Sequence, residues 1–267
     1  MNKNKVASFC LVLILLASQS CKKDANLISK QIADNSSIEE LSMDAVALDT
    51  ALLCYLPFTN NLKDKSGNNS NGILVGTVSY VADRFGNASK AVSFSASNSY
   101  IEIPETQFVG LRSVTIAMDF FPTSTGTQQL ISKMSYSDPI GSAGFYQSFT
   151  CVIEEAGRIG FAVRKANYCN STVGSGWNPT TFANTAVTYN AWNHIAITFN
   201  DNIQKMYLNG ILVGIDVKTS SPICSGGPIR LGVWWQDGPF YFTGNMDEVR
   251  IYKRVLSGGE IRKLSRK

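Results

Sequence analysis

The sequence is poor in the side chains that most enzymes use for chemistry. It contains one histidine, His194, and no Cys-x-x-Cys spacing of the kind that holds zinc. Neither a Gly-x-Ser-x-Gly nucleophile motif nor a glycine-rich phosphate loop is present. These absences argue against zinc enzymes, serine hydrolases and nucleotide-binding proteins. A lone histidine within an alternating apolar stretch is typical of a packed structural residue.

Charge is scarce as well, and apolar runs are short. Charged residues make up 16% of the 267 residues, and 24 bases stand against 20 acids without forming a basic cluster. This balance argues against nucleic acid binding. The apolar run Val6–Ala17 follows Lys3 and Lys5. It suits the core of a signal peptide and is too short to cross a membrane as a helix.

The residues after this run resemble a bacterial lipoprotein signal. Ser18-Gln19-Ser20-Cys21 is similar to a loose lipobox, although the strict pattern has leucine where Ser18 stands. Cys21-Lys22-Lys23-Asp24 resembles the start of lipoproteins of the Bacteroides and Flavobacterium group. The resemblance implies a signal peptide at 1–20, lipidation of Cys21, a polar tether at 21–50, and anchoring to the outer membrane, facing the periplasm or the cell surface. The alternative is an ordinary cleaved signal peptide with an incidental cysteine.

Strand patterns dominate the rest of the chain, and the clearest lies at its centre. The stretch Trp192–Phe199 alternates with a period of two and is rich in β-branched and aromatic residues. Two further apolar runs are separated by Asn209-Gly210, the dipeptide most typical of a tight hairpin. Three consecutive antiparallel strands are therefore predicted here.

The same stretch resembles the central signature of LamG-like jelly rolls in the concanavalin A-like lectin/glucanase superfamily. Leu56–Asn68 is similar to the opening strand of that family, and Phe242–Ile261 to its closing Gly-x-apolar-Asp-Glu-Val-Arg-Ile-Tyr stretch. The resemblance covers about residues 52–264. It implies the fold, and leaves lectin, hydrolase and plain interaction module open, because this fold hosts all three.

We therefore predict an all-β fold for residues 51–267, a two-sheet antiparallel jelly-roll sandwich with one short C-terminal helix. Ser257–Lys263 is the predicted helix, with Ser257 as its cap and Glu260 three residues on. The region 166–190 is predicted to be rich in loops. Other strands are predicted at 53–58, 73–75, 91–94, 100–103, 113–121, 129–133, 147–153, 159–164, 229–235, 240–243 and 246–252.

The cysteines beyond Cys21 fall into two kinds. Cys54 and Cys151 lie in apolar strand runs, where a free cysteine behaves as a small apolar residue. Cys169 and Cys224 lie in polar segments, and in an exported protein an exposed pair is better explained by a bond between them than by two free thiols. We predict a Cys169–Cys224 disulfide.

Binding is predicted in preference to catalysis. Glycosidases of the resembled superfamily carry carboxylates two residues apart on one strand, and that pattern is absent: Glu154-Glu155 and Asp247-Glu248 are adjacent pairs. We expect a non-catalytic module for a polysaccharide, a glycoprotein glycan or another surface protein. A hydrolase with unrecognised catalytic residues and a purely structural module are the alternatives. The expected ligand-binding residues are loop aromatics: Trp177, Trp235, Tyr168 and Tyr241.

The resemblance also implies a structural calcium ion. Aspartate in the closing strand of the superfamily's glucanases binds calcium together with backbone carbonyls, and Asp247 holds the matching position here. The implied carbonyl partners lie near Pro57 and Gly86. The alternative is that Asp247 caps a turn or pairs with Arg250 or Lys253.

Overall fold

The computed structural model describes residues 48–95, 98–137, 144–165, 180–234 and 240–266. The chain divides after Ala47, and the unit that starts at Leu48 holds the elements below. The predicted signal peptide, Cys21 and residues 21–47 of the predicted tether lie outside the described residues. No helix in the described part is long and apolar enough to cross a membrane.

Fifteen strands, one α-helix and one short 3-10 helix at Glu105–Gln107 are described, and the strands form two antiparallel sheets, as predicted. The strands are β1 (Leu52–Leu56), β2 (Ile73–Val75), β3 (Ser79–Val81), β4 (Ala91–Phe94), β5 (Tyr100–Ile103), β6 (Val114–Pro122), β7 (Gln128–Ser137), β8 (Gly144–Ile153), β9 (Arg158–Val163), β10 (Thr181–Ala186), β11 (Asn193–Phe199), β12 (Ile203–Leu208), β13 (Ile211–Val217), β14 (Ile229–Leu231) and β15 (Gly244–Tyr252). The helix α1 spans Gly258–Leu264.

The larger sheet has eight strands in the order β13-β12-β11-β6-β15-β4-β3, with β1 also paired to β15. The smaller sheet has seven, in the order β10-β9-β8-β7-β14-β5-β2. The inner faces bury a common apolar core in which the rings of Phe149, Phe161 and Phe199 meet across the two sheets. The three consecutive strands predicted from the central stretch are β11, β12 and β13, joined through Asn209-Gly210.

The outer faces of the two sheets differ. A second apolar cluster covers the outer face of the eight-stranded sheet, where Ile261 and Leu264 of α1 pack on Ala117, Ala196 and Tyr252. The predicted capping box begins this helix: Ser257 Oγ accepts the Glu260 N–H, and the Glu260 carboxylate accepts the Ser257 N–H.

The strand prediction needed four corrections. β3 and β10 were not predicted, because each is an edge strand with few buried side chains. The strand predicted at 229–235 ends at Leu231, since Gly232 adopts a φ of 86° and a side chain there would meet the Phe94 ring at 3.2 Å. No strand forms over 240–243, because Phe240 has a φ of 69°, which breaks an extended run.

Candidate functional site

A depression lies on the outer face of the seven-stranded sheet. Its volume is about 280 Å³, and we call it the aromatic depression. It is lined by Thr127, Gln129, Thr150, Val152, Glu154, Thr180, Trp234 and Phe240.

Strand alternation explains why these side chains point outwards. On β8, Cys151 and Ile153 belong to the buried core, so Thr150 and Val152 face the opposite side. On β7, the register shifts between Gln129 and Ile131, so that Leu130 and Ile131 both enter the core while Gln129 lines the depression. The pairing of Val152 with Gly160, and of Gly160 with Phe182, continues this outer row across β8, β9 and β10.

Gly160 has no side chain, so nothing projects from the outer row at this position. A Cβ atom at Gly160 would lie 2.9 Å from Thr180 Cγ2 and 3.0 Å from the Phe182 ring. A larger residue would therefore displace the neighbours that shape this end of the face. The absence of a side chain explains how Thr180 and Phe182 approach β9 closely.

Two aromatic rings form one wall of the aromatic depression. The rings of Trp234 and Phe240 have centroids 5.6 Å apart and are tilted by 39°. Trp234 is half-buried, and its indole N–H donates to the Met134 sulfur. The Phe240 carbonyl accepts the Gln129 N–H at 2.8 Å, yet the Phe240 side chain is 41% exposed. This wall therefore combines a fixed backbone with an exposed aromatic surface.

Polar groups on the floor are held in place by short contacts. The Gln129 amide nitrogen donates to Thr150 Oγ1 at 2.9 Å and to the Cys151 carbonyl at 2.6 Å. Because these bonds orient the Gln129 side chain, the floor is preorganised.

Three of the four predicted ligand aromatics lie outside the described residues, and some of their neighbours in the chain line this site. Trp177 and Tyr168 lie in segment 166–179, and Trp235 lies in segment 235–239, all outside the described residues. Thr180 directly follows the first segment, while Trp234 and Phe240 flank the second, and all three line the aromatic depression. Tyr241 is described and half-buried, next to Phe240.

Trp234 and Phe240 are the lining aromatics that the sequence prediction did not select. Both were among the aromatic residues beside loops, but adjacent tryptophans face opposite ways in a strand, so the sequence could not say which one faces outwards. Because β14 ends at Leu231, Trp234 lies outside the strand, and strand alternation does not determine the direction of its side chain.

Two basic side chains elsewhere on the seven-stranded sheet are paired with acids. Arg230 Nε lies 2.9 Å from Glu102 Oε1, and Lys133 Nζ lies 2.6 Å from Glu105 Oε2. Lys133 also donates to the Gly227 carbonyl at 2.6 Å. Burial lowers the pKa of Lys133, and Glu105 opposes that shift.

A buried polar row crosses the outer face of the other sheet. The strand register aligns His194, Asp119 and Asp247 on β11, β6 and β15. Arg84 pairs with Asp119 at 3.1 Å and donates to the Ser265 carbonyl at 3.2 Å. Burial lowers the pKa of His194 to about 3, with Arg84 and Arg250 adding to the shift. This fits the structural role predicted for His194.

Asp247, the predicted calcium ligand, lies at the end of this row. Its Oδ1 accepts the Glu248 N–H at 2.7 Å, as the turn-cap alternative expects, while Arg250 pairs with Glu248 instead. Burial raises the pKa of Asp247 to about 8, and Glu248, Asp119 and Asp83 add to the shift.

The two predicted carbonyl partners lie on neighbouring elements. Pro57 directly follows the Leu56–Val249 pair of β1 and β15. Gly86 lies in a turn where the Asp83 carboxylate accepts the Asn87 N–H at 2.9 Å. In the described part of the chain, no group of three or more His, Cys, Asp or Glu could hold a metal ion.

Cys54 and Cys151 are buried free thiols. Cys224 is not one of the free thiols, and it is only 3% exposed, so the expectation of an exposed position was wrong for this residue. Its N–H donates to Ser148 Oγ at 2.6 Å, which draws it onto β8. Cys169 lies outside the described residues, and the Cys169–Cys224 bond stays a prediction.

The family follows from the sequence match and the fold together. Residues 95–262 match the Laminin_G_3 model of the concanavalin A-like lectin/glucanases superfamily. The chain belongs to this family. No curated protein matches it.

Solved structures share the fold at low identity. Domain 4 of AbnA, a GH43 extracellular arabinanase from Geobacillus stearothermophilus solved in complex with arabinotriose, is 21% identical with a TM-score of 0.56, over 80% of this chain and 98% of that one. The binding domain of Paraclostridial Mosquitocidal Protein 1 is 20% identical with a TM-score of 0.60, over 82% of this chain.

The binding domain of botulinum neurotoxin DC, solved in complex with SialylT, is 15% identical with a TM-score of 0.57 over 82% of this chain. The chain spans about half the length of each of these two toxin domains, 52% in both cases.

Proposed function

We propose that this chain is an exported, lipid-anchored module that binds carbohydrate at the aromatic depression without cleaving it. The observation that carries the proposal is the exposed Trp234–Phe240 wall beside a preorganised polar floor. Flat aromatic faces stack on the C–H surfaces of sugars, and a few fixed polar groups orient the ligand. The segments that carry Trp177, Tyr168 and Trp235 adjoin this wall along the chain.

Two neighbours in fold support a carbohydrate in preference to another ligand. One was solved with arabinotriose and one with SialylT. At their low identity the likeness is one of fold, so the ligand class for this chain rests on its own aromatic and polar groups.

A glycan array with the full-length protein tests the proposal. Trp177→Ala, Trp235→Ala and Trp234→Ala should each weaken binding of the array hits by about two- to tenfold, since stacking contributes roughly 0.5–1.5 kcal/mol per aromatic contact. Trp192→Ala is the matched control, because Trp192 packs against Phe121 away from the depression. Binding that survives all three substitutions would reject this site. A variant that unfolds would show that its tryptophan is part of the core.

Hydrolysis is the second candidate function, because Glu154 lies in the aromatic depression. Glycosidases use two carboxylates, and Glu154 is the one carboxylate among the described residues that line it. Incubating the array hits with the protein and analysing the products distinguishes the two functions. Glycan cleavage that Glu154→Gln abolishes would establish a hydrolase.

Anchoring is proposed from the apolar run that ends at Cys21. Replacing Cys21 with Ser should leave the protein unlipidated and move it from the membrane fraction to the soluble fraction. Unchanged membrane retention of Cys21→Ser would contradict the proposal.

A structural calcium ion at Asp247 is also proposed. The donor chemistry fits, since calcium prefers carboxylate and carbonyl oxygens, and Asp247 is a buried carboxylate near other acids. Asp247 and carbonyls near Pro57 and Gly86 would hold the ion, which would join the first and last strands. Calcium should then raise the melting temperature, and Asp247→Ala should abolish that increase. Equal melting in chelator and in millimolar calcium would exclude the site.

A further inference from the structure

We propose that the aromatic depression selects uncharged glycans and rejects anionic ones, and that Glu154 is the residue that sets this preference. The inference rests on the proposed function and narrows its ligand class. It derives from the distribution of charge around the depression.

Glu154 is the charged member of the described lining, and the other lining residues are threonine, glutamine, valine and aromatic side chains. Glu154 follows β8 directly, and its backbone is fixed by two bonds: its N–H donates to the Arg158 carbonyl at 3.0 Å, and its carbonyl accepts the Gly157 N–H at 2.7 Å. The turn therefore fixes the Glu154 backbone at the edge of the depression, which its side chain lines. Among the described residues Glu154 makes no ion pair.

Bases that share this sheet are committed to other partners. Arg158 lies in the same turn and places its guanidinium 5.1 Å from the centre of the Phe182 ring. Arg230 and Lys133 are paired with Glu102 and Glu105.

The segments that are next to Thr180, Trp234 and Phe240 in the sequence contain no lysine or arginine. Residues 166–179 contain neither acid nor base, and residues 235–239 contain one acid, Asp237, and no base. More broadly, no lysine or arginine occurs between Lys165 and Lys205 or between Arg230 and Arg250.

A carboxylate on the ligand would thus enter a site whose described lining contains the acid Glu154 and no base. Like charges at close range in a partly desolvated site oppose binding. Uronic acids, sialylated glycans and sulfated glycans should be excluded, while neutral oligosaccharides keep the aromatic stacking and the polar floor.

The test compares matched neutral and anionic oligosaccharides, such as a neutral chain and the same chain bearing a uronic acid, at low and high salt. For the wild-type protein we expect neutral ligands to bind about tenfold more tightly at low salt, the ratio expected for two charges several ångströms apart in a medium of intermediate dielectric constant. This ratio should shrink in high salt, because ions screen the repulsion.

Glu154→Gln should bring the ratio close to one while leaving the affinity for neutral ligands within about twofold, because the substitution removes charge and keeps shape. Glu155→Gln is the control, since Glu155 is an exposed residue of the same turn outside the depression. It should leave the ratio unchanged.

The outcomes separate this inference from the proposed function. If no glycan of either kind binds, both fail. If anionic glycans bind as well as neutral ones, and Trp234→Ala abolishes that binding, the site is correct and the charge preference is wrong. A salt-independent ratio, or one that Glu154→Gln leaves intact, would likewise overturn the role of Glu154.

Discussion

The outer face of the eight-stranded sheet is covered by protein, whereas the outer face of the seven-stranded sheet is open at the aromatic depression. On the eight-stranded sheet, α1 and the segment before it bury Ala117, Ala196 and Tyr252. On the seven-stranded sheet, the aromatic depression leaves Phe240 exposed beside the half-buried Trp234.

Polar groups are used differently on the two faces. The covered face buries His194, Asp119 and Asp247 under protein, and desolvation shifts the pKa of each one. The open face leaves Thr127, Thr150 and Glu154 partly exposed, although Gln129 beside them is buried. The covered face is therefore organised for stability, and the open face retains the surface that a ligand needs. Changes to each face should separate stability from binding.

The largest effect is expected from truncating a buried side chain on the covered face. Ile261→Ala should lower the free energy of unfolding by about 2–5 kcal/mol, because it removes a fully buried aliphatic side chain, one that packs between α1 and the sheet. Chemical denaturation measures the loss, and glycan affinity of the folded protein should not change. Val255→Ala, at a position 37% exposed, is the control and should have little effect. Loss of glycan affinity in folded Ile261→Ala would contradict the assignment of stability to the covered face and of binding to the open face.

Next in size is the predicted Cys169–Cys224 disulfide, which would tie segment 166–179 to β8 on the open face. It closes a loop of about 55 residues and should contribute roughly 2–4 kcal/mol, largely by constraining the unfolded chain. Cys169→Ser should lower both the melting temperature and the glycan affinity. Non-reducing peptide mapping gives the direct check, and finding both thiols free would rule the bond out.

His194 should make the covered face sensitive to acid. Its folded pKa of about 3 lies below the unfolded value of 6.5, so the unfolded chain binds the proton more tightly. The contribution to stability is complete above pH 6.5 and is lost as the pH falls towards 3. At pH 5 the loss amounts to about 2 kcal/mol.

The measurement is the difference in unfolding free energy between wild type and His194→Gln at pH 5 and at pH 8. The unfolding free energy of the variant minus that of wild type should be about 2 kcal/mol higher at pH 5 than at pH 8. The comparison with wild type cancels the titration of Asp119, whose pKa is raised to about 7 and whose effect on stability has the opposite sign. An equal difference at the two pH values would show that His194 does not titrate on unfolding.

The smallest effect concerns the start of α1. Ser257→Ala removes the hydroxyl that accepts the Glu260 N–H at 3.2 Å and should cost about 1 kcal/mol. Ser257→Asp keeps an acceptor at the cap and should retain most of the stability. Thermal melting distinguishes the two variants, and equal losses would mean that the capping bond contributes little.

Much of the fold could be predicted from local patterns. Alternation identified β6, β8, β9 and β11 to within a few residues, and Asn209-Gly210 placed the turn between β12 and β13. The capping box located α1. These features depend on neighbours in sequence, so the sequence contains what is needed to find them.

The site was predicted less completely, because its members come from distant parts of the chain. Thr127, Glu154 and Phe240 meet only after β7, β8 and the segment before β15 are assembled. Edge strand β10 carries few apolar residues, so its pattern gave no warning that Thr180 would border the site.

By itself, the sequence determined the strand-rich class, the central meander, the capped helix and the scarcity of catalytic groups, because each follows from residues close together in the chain. Tertiary structure alone decided which sheet face α1 covers, that Trp234 joins Phe240 in a wall, and that Glu154 supplies the charge beside it. Those facts depend on the register and packing of strands far apart in sequence, and no local pattern of residues specifies them.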